Sequence, residues 1–335
     1  MKKHTLLLAL ILLFIGSTSE RLAAQWKMIA ANVVSAVGAG AIHYKDGVLW
    51  AGTQELVYSL DSGKTWTRNS LSKKALLISS IDFVDRNIGI VSNWGKSPVF
   101  LTTDGGSTWK DIKNSTGTLC QSIFDNYSNL IHAVGLDGVI NTSTDAGTTW
   151  NKSTGFFQFS TCLTYYRNTL YVFGDDPISG NGLGYVLSST DNGKNWIRKP
   201  GRISSDSWSI AIDSCDPNIL YVVNEHELIN GESFSNIFVS INGGDSWSNP
   251  LKKSGQALSG ALATSQNTIN VISSRGSNGG MYRSKDKGIT WKNFPAPDCI
   301  IDTRSIVALN DNLLFLLDDN GNIWMTDNGG GDMFI

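Results

Sequence analysis

The sequence is poor in net charge, histidine and cysteine, and each scarcity excludes a class of protein. Its 335 residues carry 27 Lys and Arg against 29 Asp and Glu, a net charge of −2, so no basic surface for nucleic acid is predicted. The 4 histidines and 4 cysteines do not have zinc-site spacing, and we predict neither a metal nor a cofactor. The apolar run at residues 6–15 is too short to span a bilayer, so we predict no membrane span after processing.

The N-terminal segment has the composition of a secretory signal peptide. Lys2, Lys3 and His4 precede the apolar run, and Ala23 and Ala24 form a cleavage site before Gln25. We therefore expect residues 1–24 to be removed and residues 25–335 to be secreted or periplasmic in a bacterial envelope. An uncleaved anchor is the alternative.

The cysteines Cys120, Cys162, Cys215 and Cys299 would lie in a compartment that permits disulfides. Three pairings are possible. Cys120 and Cys162 occupy nearly the same place in adjacent repeats, 11 and 12 residues after a tryptophan, so this pair is favoured if any forms. Inert buried thiols are the alternative.

What the chain has in abundance is glycine and tryptophan, 34 and 11 residues, and both recur in one eight-residue segment that we call the repeat turn. Successive Asp or Asn positions are 43, 41, 46, 51, 44 and 41 residues apart, close to the length of one four-stranded propeller blade. The recurring positions are Asp61, Gly63 and Trp66; Asp104, Gly106 and Trp109; Asp145, Gly147 and Trp150; Asp191, Gly193 and Trp196; Asn242, Gly244 and Trp247; Asp286, Gly288 and Trp291; and Asp327 and Gly329.

The residue types of the repeat turn are typical of a tight turn between two strands. A carboxylate or carboxamide accepts backbone N–H groups ahead of it, and the glycine takes a positive φ. The Ser or Thr residues before and after it hold the turn from the side. The tryptophan then starts the next strand and buries its ring.

The beginning of the mature chain resembles the strand that follows a repeat turn. Residues 25–29, which include Trp26, match residues 108–112, which include Trp109, whereas little chain remains after Asp327 for an outer strand. We therefore expect the strand that begins at Trp26 to complete the last blade and to leave no free sheet edge there. Seven blades in one all-β domain follow, with no linker or second domain within residues 25–335.

The repeat turn resembles the Asp-box, or BNR repeat, of sialidase-superfamily propellers. The same box is found in sortilins, xyloglucanases and the photosystem II stability and assembly factor family, and residues 87–109 show the closest similarity to the last of these. The resemblance covers essentially the whole mature chain and implies a β-propeller with its boxes away from the ligand face. It implies no photosynthetic role, because it reaches only residues that form the repeat.

The loops between second and third strands share a face with the connections between blades, where propellers usually bind ligands. The longest are residues 174–182 and 224–232, on neighbouring blades, with the connection 201–208 between them. Trp50, in contrast, fits a buried strand. The predicted binding residues are Trp94, Asp175, Asp176, Arg202, Trp208, Glu225, His226 and Glu227, and the alternative is that these polar loops are merely solvated.

Two function classes remain open. The first is a non-catalytic, monomeric binding or scaffold propeller, whose partner is an unknown protein or glycan. The second is a glycoside hydrolase of sialidase or xyloglucanase type. Sialidases need a cluster of arginines, but Arg68, Arg198 and Arg283 lie beside repeat turns, so we place them on the other face. We therefore favour binding and assign no catalytic residue.

Overall fold

The computed structural model describes residues 26–34, 40–73, 77–94, 99–112, 119–125, 130–135, 137–166, 168–178, 182–204, 207–213, 215–229, 232–254, 258–265, 268–273, 280–295, 303–318 and 320–329. The predicted signal peptide, residues 1–24, lies outside them. Seven four-stranded antiparallel sheets form a seven-bladed β-propeller, which confirms the predicted fold class and blade number. Among the described residues we find no helix with the length and apolar character needed to cross a bilayer.

The strands follow the chain from the innermost to the outermost position of each blade. The first strand, β1 (Lys27–Ala30), precedes blade 1, which holds β2 (Ala41–Lys45), β3 (Val48–Gly52), β4 (Leu56–Ser59) and β5 (Thr67–Arg68). A short 3₁₀ helix, Ser70–Lys73, follows. Blade 2 holds β6 (Ile78–Phe83), β7 (Gly89–Asn93), β8 (Val99–Thr102) and β9 (Lys110–Ile112), and blade 3 holds β10 (Leu119–Asp125), β11 (Leu130–Gly135), β12 (Ile140–Ser143) and β13 (Asn151–Ser153).

The remaining blades repeat the same order. Blade 4 holds β14 (Ser160–Tyr166), β15 (Thr169–Asp175), β16 (Leu183–Ser189) and β17 (Ile197–Ser204), and blade 5 holds β18 (Ser207–Ile212), β19 (Leu220–Ile229), β20 (Glu232–Ser240) and β21 (Ser248–Ser254). Blade 6 holds β22 (Leu258–Thr264), β23 (Ile269–Ser273), β24 (Gly280–Ser284) and β25 (Lys292–Pro295). Blade 7 holds β26 (Thr303–Ala308), β27 (Leu314–Asp318) and β28 (Ile323–Thr326).

The N-terminal strand β1 is the outermost strand of blade 7. It pairs antiparallel with β28, with Lys27 opposite Met325 and Met28 opposite Trp324. The chain that follows remains attached to this blade, because the Val33 N–H donates to the carbonyl of Gly321 at 3.0 Å. The sheet of blade 7 is therefore built from both ends of the described chain.

The core consists of apolar layers between neighbouring blades. The second strands are buried along their length, as β3 and β27 show, because each packs against a blade on both sides. Each interface between blades also takes in one half-buried tryptophan from the second blade of the pair. These are Trp66, Trp109, Trp150, Trp196, Trp247, Trp291 and Trp26, so the rings pack between blades one residue before the outer strand begins.

The repeat turns are closed by side-chain hydrogen bonds. In blade 1 the Ser59 hydroxyl donates to Asp61 and accepts the N–H of Gly63, both at 2.8 Å. Asp61 accepts the N–H of Thr65 at 2.9 Å and its hydroxyl at 2.7 Å. In blades 1 to 6 the glycine has the expected positive φ, and so does the residue before it: Ser62, Gly105, Ala146, Asn192, Gly243 and Lys287. In blade 7 the turn is shifted by one residue from the predicted Asp327 and Gly329, because the Thr326 hydroxyl donates to Asn328 at 2.8 Å as Ser59 does to Asp61, and Gly329 takes the place of Ser62.

Two segments that the sequence predicted to be loops are strands. Glu225, His226 and Glu227 lie in β19, which forms a long hairpin with β20, and a bulge separates the pairs of Asn224 and Glu227. Arg202 lies in β17, the outermost strand of blade 4, and not in the connection to blade 5. The prediction was wrong because backbone pairing continues past the apolar residues that marked the strand ends.

The two cysteines whose side chains are described lie on different blades. Cys162 is buried in β14, and Cys215 is exposed after β18. The side chains of Cys120 and Cys299 lie outside the described residues, so the favoured pair stays a prediction. The strands that carry its members, β10 and β14, are linked by a bond from the Leu163 N–H to Gln121 Oε1 at 2.9 Å.

Candidate functional site

Asp176 begins the connection between the second and third strands of blade 4. Its N–H donates to the carbonyl of Leu183 at 2.9 Å, across the neck of the loop. The backbone of the preceding residue, Asp175, also forms two bonds. Its N–H donates to the carbonyl of Phe159 at 2.8 Å, and its carbonyl accepts the N–H of Gln158 at 3.0 Å. These bonds tie the loop to the connection from blade 3. The backbone that carries the Asp176 carboxylate is therefore fixed in place.

Two arginines of β17 share this carboxylate. The Oδ2 atom of Asp176 lies 2.7 Å from a terminal nitrogen of Arg198 and 3.1 Å from one of Arg202. The Asp176 side chain is 0% exposed, whereas those of the arginines are 40% and 48% exposed. We call Asp176, Arg198 and Arg202 the arginine–carboxylate cluster.

The local hydrogen bonds keep the cluster charged. The Ile178 N–H donates to Asp176 Oδ1 at 3.0 Å, and this bond, more than the arginines, lowers the pKa of Asp176 below its ordinary value. Each arginine contributes one positively charged guanidinium. The cluster therefore has one negative and two positive charges.

A bulge in the outer strand brings the two arginines together. Tyr185 of β16 pairs with Arg202 and Leu187 pairs with Arg198, so two steps on β16 match four on β17. Pro200, which has no N–H to donate, lies in the extra length, where an edge strand tolerates it. Without the bulge, Arg202 would be two residues out of register with Tyr185.

Tyr185 supports the cluster from the blade 3 side. The guanidinium carbon of Arg198 lies 3.8 Å from the centroid of the Tyr185 ring, a cation–π contact. The phenol donates to the carbonyl of Phe156, and the ring packs against Phe157 with centroids 4.8 Å apart. Burial raises the pKa of Tyr185, so the phenol stays neutral and remains a donor.

Two residues whose backbones bond to Asp176 and Asp175 carry exposed apolar side chains. Ile178, two residues after Asp176, is 85% exposed, and Phe159, whose carbonyl holds Asp175, is 41% exposed. We call these two residues the apolar rim. Since β16 begins opposite the end of β17, with Leu183 paired to Ser204, cluster and rim lie at the loop end of blade 4.

The structure brings together part of the predicted site. Asp176 and Arg202 form an ion pair, and Asp175 lies next to them. Trp94 follows β7 in blade 2, where its N–H donates to the carbonyl of Leu77 at 2.7 Å, and blade 3 separates it from the cluster. The backbones of Trp208, Glu225, His226 and Glu227 lie in β18 and β19, but their side chains are outside the described residues.

Three arginines were predicted to lie beside repeat turns on the other face, and for Arg198 and Arg68 this was wrong. The Arg198 guanidinium reaches the loop end of its blade, which its position two residues after Trp196 concealed. Arg68 pairs with Glu55 of the first second-to-third loop at 2.8 Å. Arg283 is buried and donates to Asn270 Oδ1 at 2.8 Å. The signal that could have revealed Arg198 is Pro200-Gly201, a pair typical of a strand irregularity.

The chemistry available at the cluster is recognition of an anion. Two planar donor groups with an excess positive charge suit a carboxylate or phosphate. Within the described part of the chain, no three His, Cys, Asp or Glu residues are grouped as metal ligands.

The fold and this site define a seven-bladed β-propeller with the arginine–carboxylate cluster on its loop face. The family model of the DUF6242 beta propeller domain matches residues 90–334, so the chain belongs to that family. A search of curated proteins finds no match.

The similarity to solved structures shows the fold alone, because the sequence identities are low. YCF48 from Cyanidioschyzon merolae is 15% identical with a TM-score of 0.63, covering 90% of this chain and 98% of that one. YCF48 bound to D1 peptide is 17% identical with a TM-score of 0.63, covering 90% and 96%. The GH74 enzyme of Niastella koreensis is 16% identical with a TM-score of 0.55, covering 89% of this chain and 58% of the enzyme.

Proposed function

We propose that this chain is a non-catalytic propeller of the bacterial envelope or exterior that binds a segment of another protein on its loop face. The observation that carries the proposal is the shared contact of Arg198 and Arg202 with the buried carboxylate of Asp176. Both guanidiniums are positioned before a ligand arrives, which lowers the entropy cost of binding.

The neighbourhood of the cluster suits a protein partner. Arginine and exposed aromatic or aliphatic side chains are typical of protein interfaces, and the apolar rim supplies the latter beside the former. The similarity to a propeller solved as YCF48 bound to D1 peptide supports peptide binding as a use of this fold.

The same geometry argues against Asp176 as a glycosidase acid. A catalytic acid needs a raised pKa so that it carries a proton at neutral pH. The N–H of Ile178 and the two arginines lower the pKa of Asp176 instead. Asp176 therefore suits binding rather than catalysis.

The proposal also covers the repeat turns and the location. The bonds of Ser59, Asp61 and Thr65 recur in blades 2 to 6, which supports their interpretation as Asp-boxes of BNR type. Residues 1–24 support export through a cleaved signal peptide. N-terminal sequencing of protein recovered from the envelope or medium tests this, and a chain that still begins at Met1 would contradict it.

Selection from a random displayed-peptide library on the immobilised mature chain tests the proposed function. We expect specific peptides to be enriched on the wild type and lost with Arg198→Ala/Arg202→Ala. Arg68→Ala is the matched control, because Arg68 is an exposed arginine in an ion pair on another blade. Failure to enrich any peptide, together with binding on a glycan array, would replace the protein partner with a glycan.

The predicted residues whose side chains are not described belong to the same test. Trp208→Ala/Glu225→Ala and Trp94→Ala each leave the cluster intact. Loss of the selected peptides with the double variant would extend the site onto blade 5, and loss with Trp94→Ala would extend it across to blade 2.

A further inference from the structure

The charges of the arginine–carboxylate cluster do not cancel. Both guanidiniums approach the same Asp176 oxygen, so one negative charge serves two positive ones and leaves an excess of one positive charge. Since the carboxylate is 0% exposed, the excess lies on the two half-exposed guanidiniums, where solvent or a ligand can reach it.

Both guanidiniums retain unused donors. Arginine has five N–H groups, and each of these two reaches Asp176 through one terminal nitrogen. Within the described part of the chain, no other acceptor hydrogen-bonds to either guanidinium. Donors left free on two neighbouring planar groups can grip both oxygens of one carboxylate.

The positions of these donors are set by the protein. Arg198 is held between the Tyr185 ring and Asp176, and the Tyr185 phenol is itself held by the Phe156 carbonyl. The bulge in β17 then sets Arg202 opposite Tyr185. The pair therefore differs from two surface arginines that move independently.

The apolar rim is attached to the same backbone. Ile178 donates its N–H to the Asp176 carboxylate, and the Phe159 carbonyl accepts the N–H of Asp175. An isoleucine that is 85% exposed leaves apolar surface in water, and a partner's apolar side chain would cover it. An anion site and an apolar surface thus lie side by side.

We infer that the cluster binds an Asp or Glu side chain of an extended partner segment, with a large apolar residue beside it on the apolar rim. A carboxylate carries one negative charge, which matches the excess of one, whereas a phosphate group would bring about −1.5 to −2 charge. This inference rests on the proposed function and specifies the chemistry of its partner.

Binding measurements with defined peptides test the inference. From the library selection we expect peptides with Asp or Glu next to Leu, Ile, Phe or Val. A fluorescein-labelled selected peptide is then compared by anisotropy with the same peptide carrying Gln or phosphoserine in place of the acidic residue. We expect the acidic form to bind about tenfold more tightly than the Gln form, as for a charge-assisted hydrogen bond.

Variants of the protein separate the two halves of the site. Arg202→Gln should abolish the preference for the acidic peptide, and Ile178→Ser should weaken the acidic and Gln peptides equally, because each alters one exposed side chain. Arg68→Gln is the matched control and should change neither. Circular dichroism confirms that the variants are folded.

The outcomes distinguish the inference from the proposed function. Equal affinity for the acidic and Gln peptides, tighter binding of the phosphoserine peptide, or an acidic preference that survives Arg202→Gln would overturn the inference and leave peptide binding intact. Selection of no peptide at all would overturn the proposed function itself.

Discussion

The carboxamide of Asn69 accepts a hydrogen bond from the indole N–H of Trp109 at 2.8 Å, which links the end of blade 1 to the repeat turn of blade 2. The same oxygen accepts the Leu71 N–H at 3.0 Å, and the carboxamide nitrogen donates to the carbonyl of Gly106 at 2.9 Å. Asn69 is buried, so one side chain bonds three polar groups at the interface of blades 1 and 2.

Replacement of this asparagine is expected to destabilise the fold. Asn69→Leu removes all three bonds, but the Trp109 N–H still donates to the Gly106 carbonyl at 3.0 Å, so the Leu71 N–H is the group that loses its acceptor. We therefore expect a loss of about 1–3 kcal/mol in the free energy of unfolding. Urea unfolding followed by tryptophan fluorescence measures it. Asn151→Leu, at an exposed position that starts β13, should leave the midpoint almost unchanged, and equal losses for the two variants would contradict this role of Asn69.

The buried ring of Trp50 supports the interface of blades 1 and 2. It is 1% exposed and stacks on Phe83 with centroids 4.6 Å apart, as expected for a core residue rather than a binding platform. Trp50→Ala should lower the free energy of unfolding by about 3–5 kcal/mol through the cavity it leaves. The half-buried Trp150 is the comparison, since Trp150→Ala empties less buried volume. A smaller loss for Trp50→Ala than for Trp150→Ala in calorimetry would be inconsistent with this packing.

The repeat turns predict loss of stability in acid. Hydrogen bonds lower the pKa of Asp61, Asp145 and Asp191 from 3.8 to about 2, chiefly bonds from the backbone N–H of Thr65, the Thr149 hydroxyl and the backbone N–H of Asn195, respectively. Because the unfolded chain binds these protons first, the contribution is complete above pH 3.8 and disappears as the pH falls through about 2. Urea midpoints measured across this pH range should therefore fall.

Blade 5 supplies the matched substitution for this acid effect. Asn242 takes the aspartate position, accepts the Ser246 N–H and donates to the Ser246 hydroxyl, both at 2.9 Å, and does not titrate. The triple variant Asp61→Asn/Asp145→Asn/Asp191→Asn should therefore fold at neutral pH and lose less stability in acid. Parallel acid curves for variant and wild type would show that other groups cause the loss.

Removal of the N-terminal strand should expose the edge of blade 7. Deletion of residues 26–34 leaves β28 without its outer partner and takes Trp26 from the interface of blades 6 and 7. An unpaired strand edge promotes association, so we expect a lower melting temperature and larger species in size-exclusion chromatography. Deletion of residues 1–25 is the control and should change neither property. A shortened chain that melts like the control would show that β1 adds little.

Local sequence rules predicted the turns well and their details less well. The positive φ of Gly63 follows from its side chain, because glycine alone adopts it without cost. The positive φ of Ser62 was missed, since serine rarely adopts it and the bonds of Ser59 and Asp61 impose it. The loops were also predicted too long on blade 5, where Glu227 pairs with Phe234.

The number of blades could be read from the sequence because each repeat turn is closed by residues at most four positions apart, such as Asp61 and Thr65. The arginine–carboxylate cluster could not, although Asp176 and Arg202 were both among the candidates. Arg198 joins them only because a bulge shifts the register of β17 against β16, and Tyr185 beside them is held by Phe156 and Phe157 of the connection from blade 3. The register of two strands and the packing of two blades depend on contacts across the whole assembled sheet. No short segment of sequence determines them.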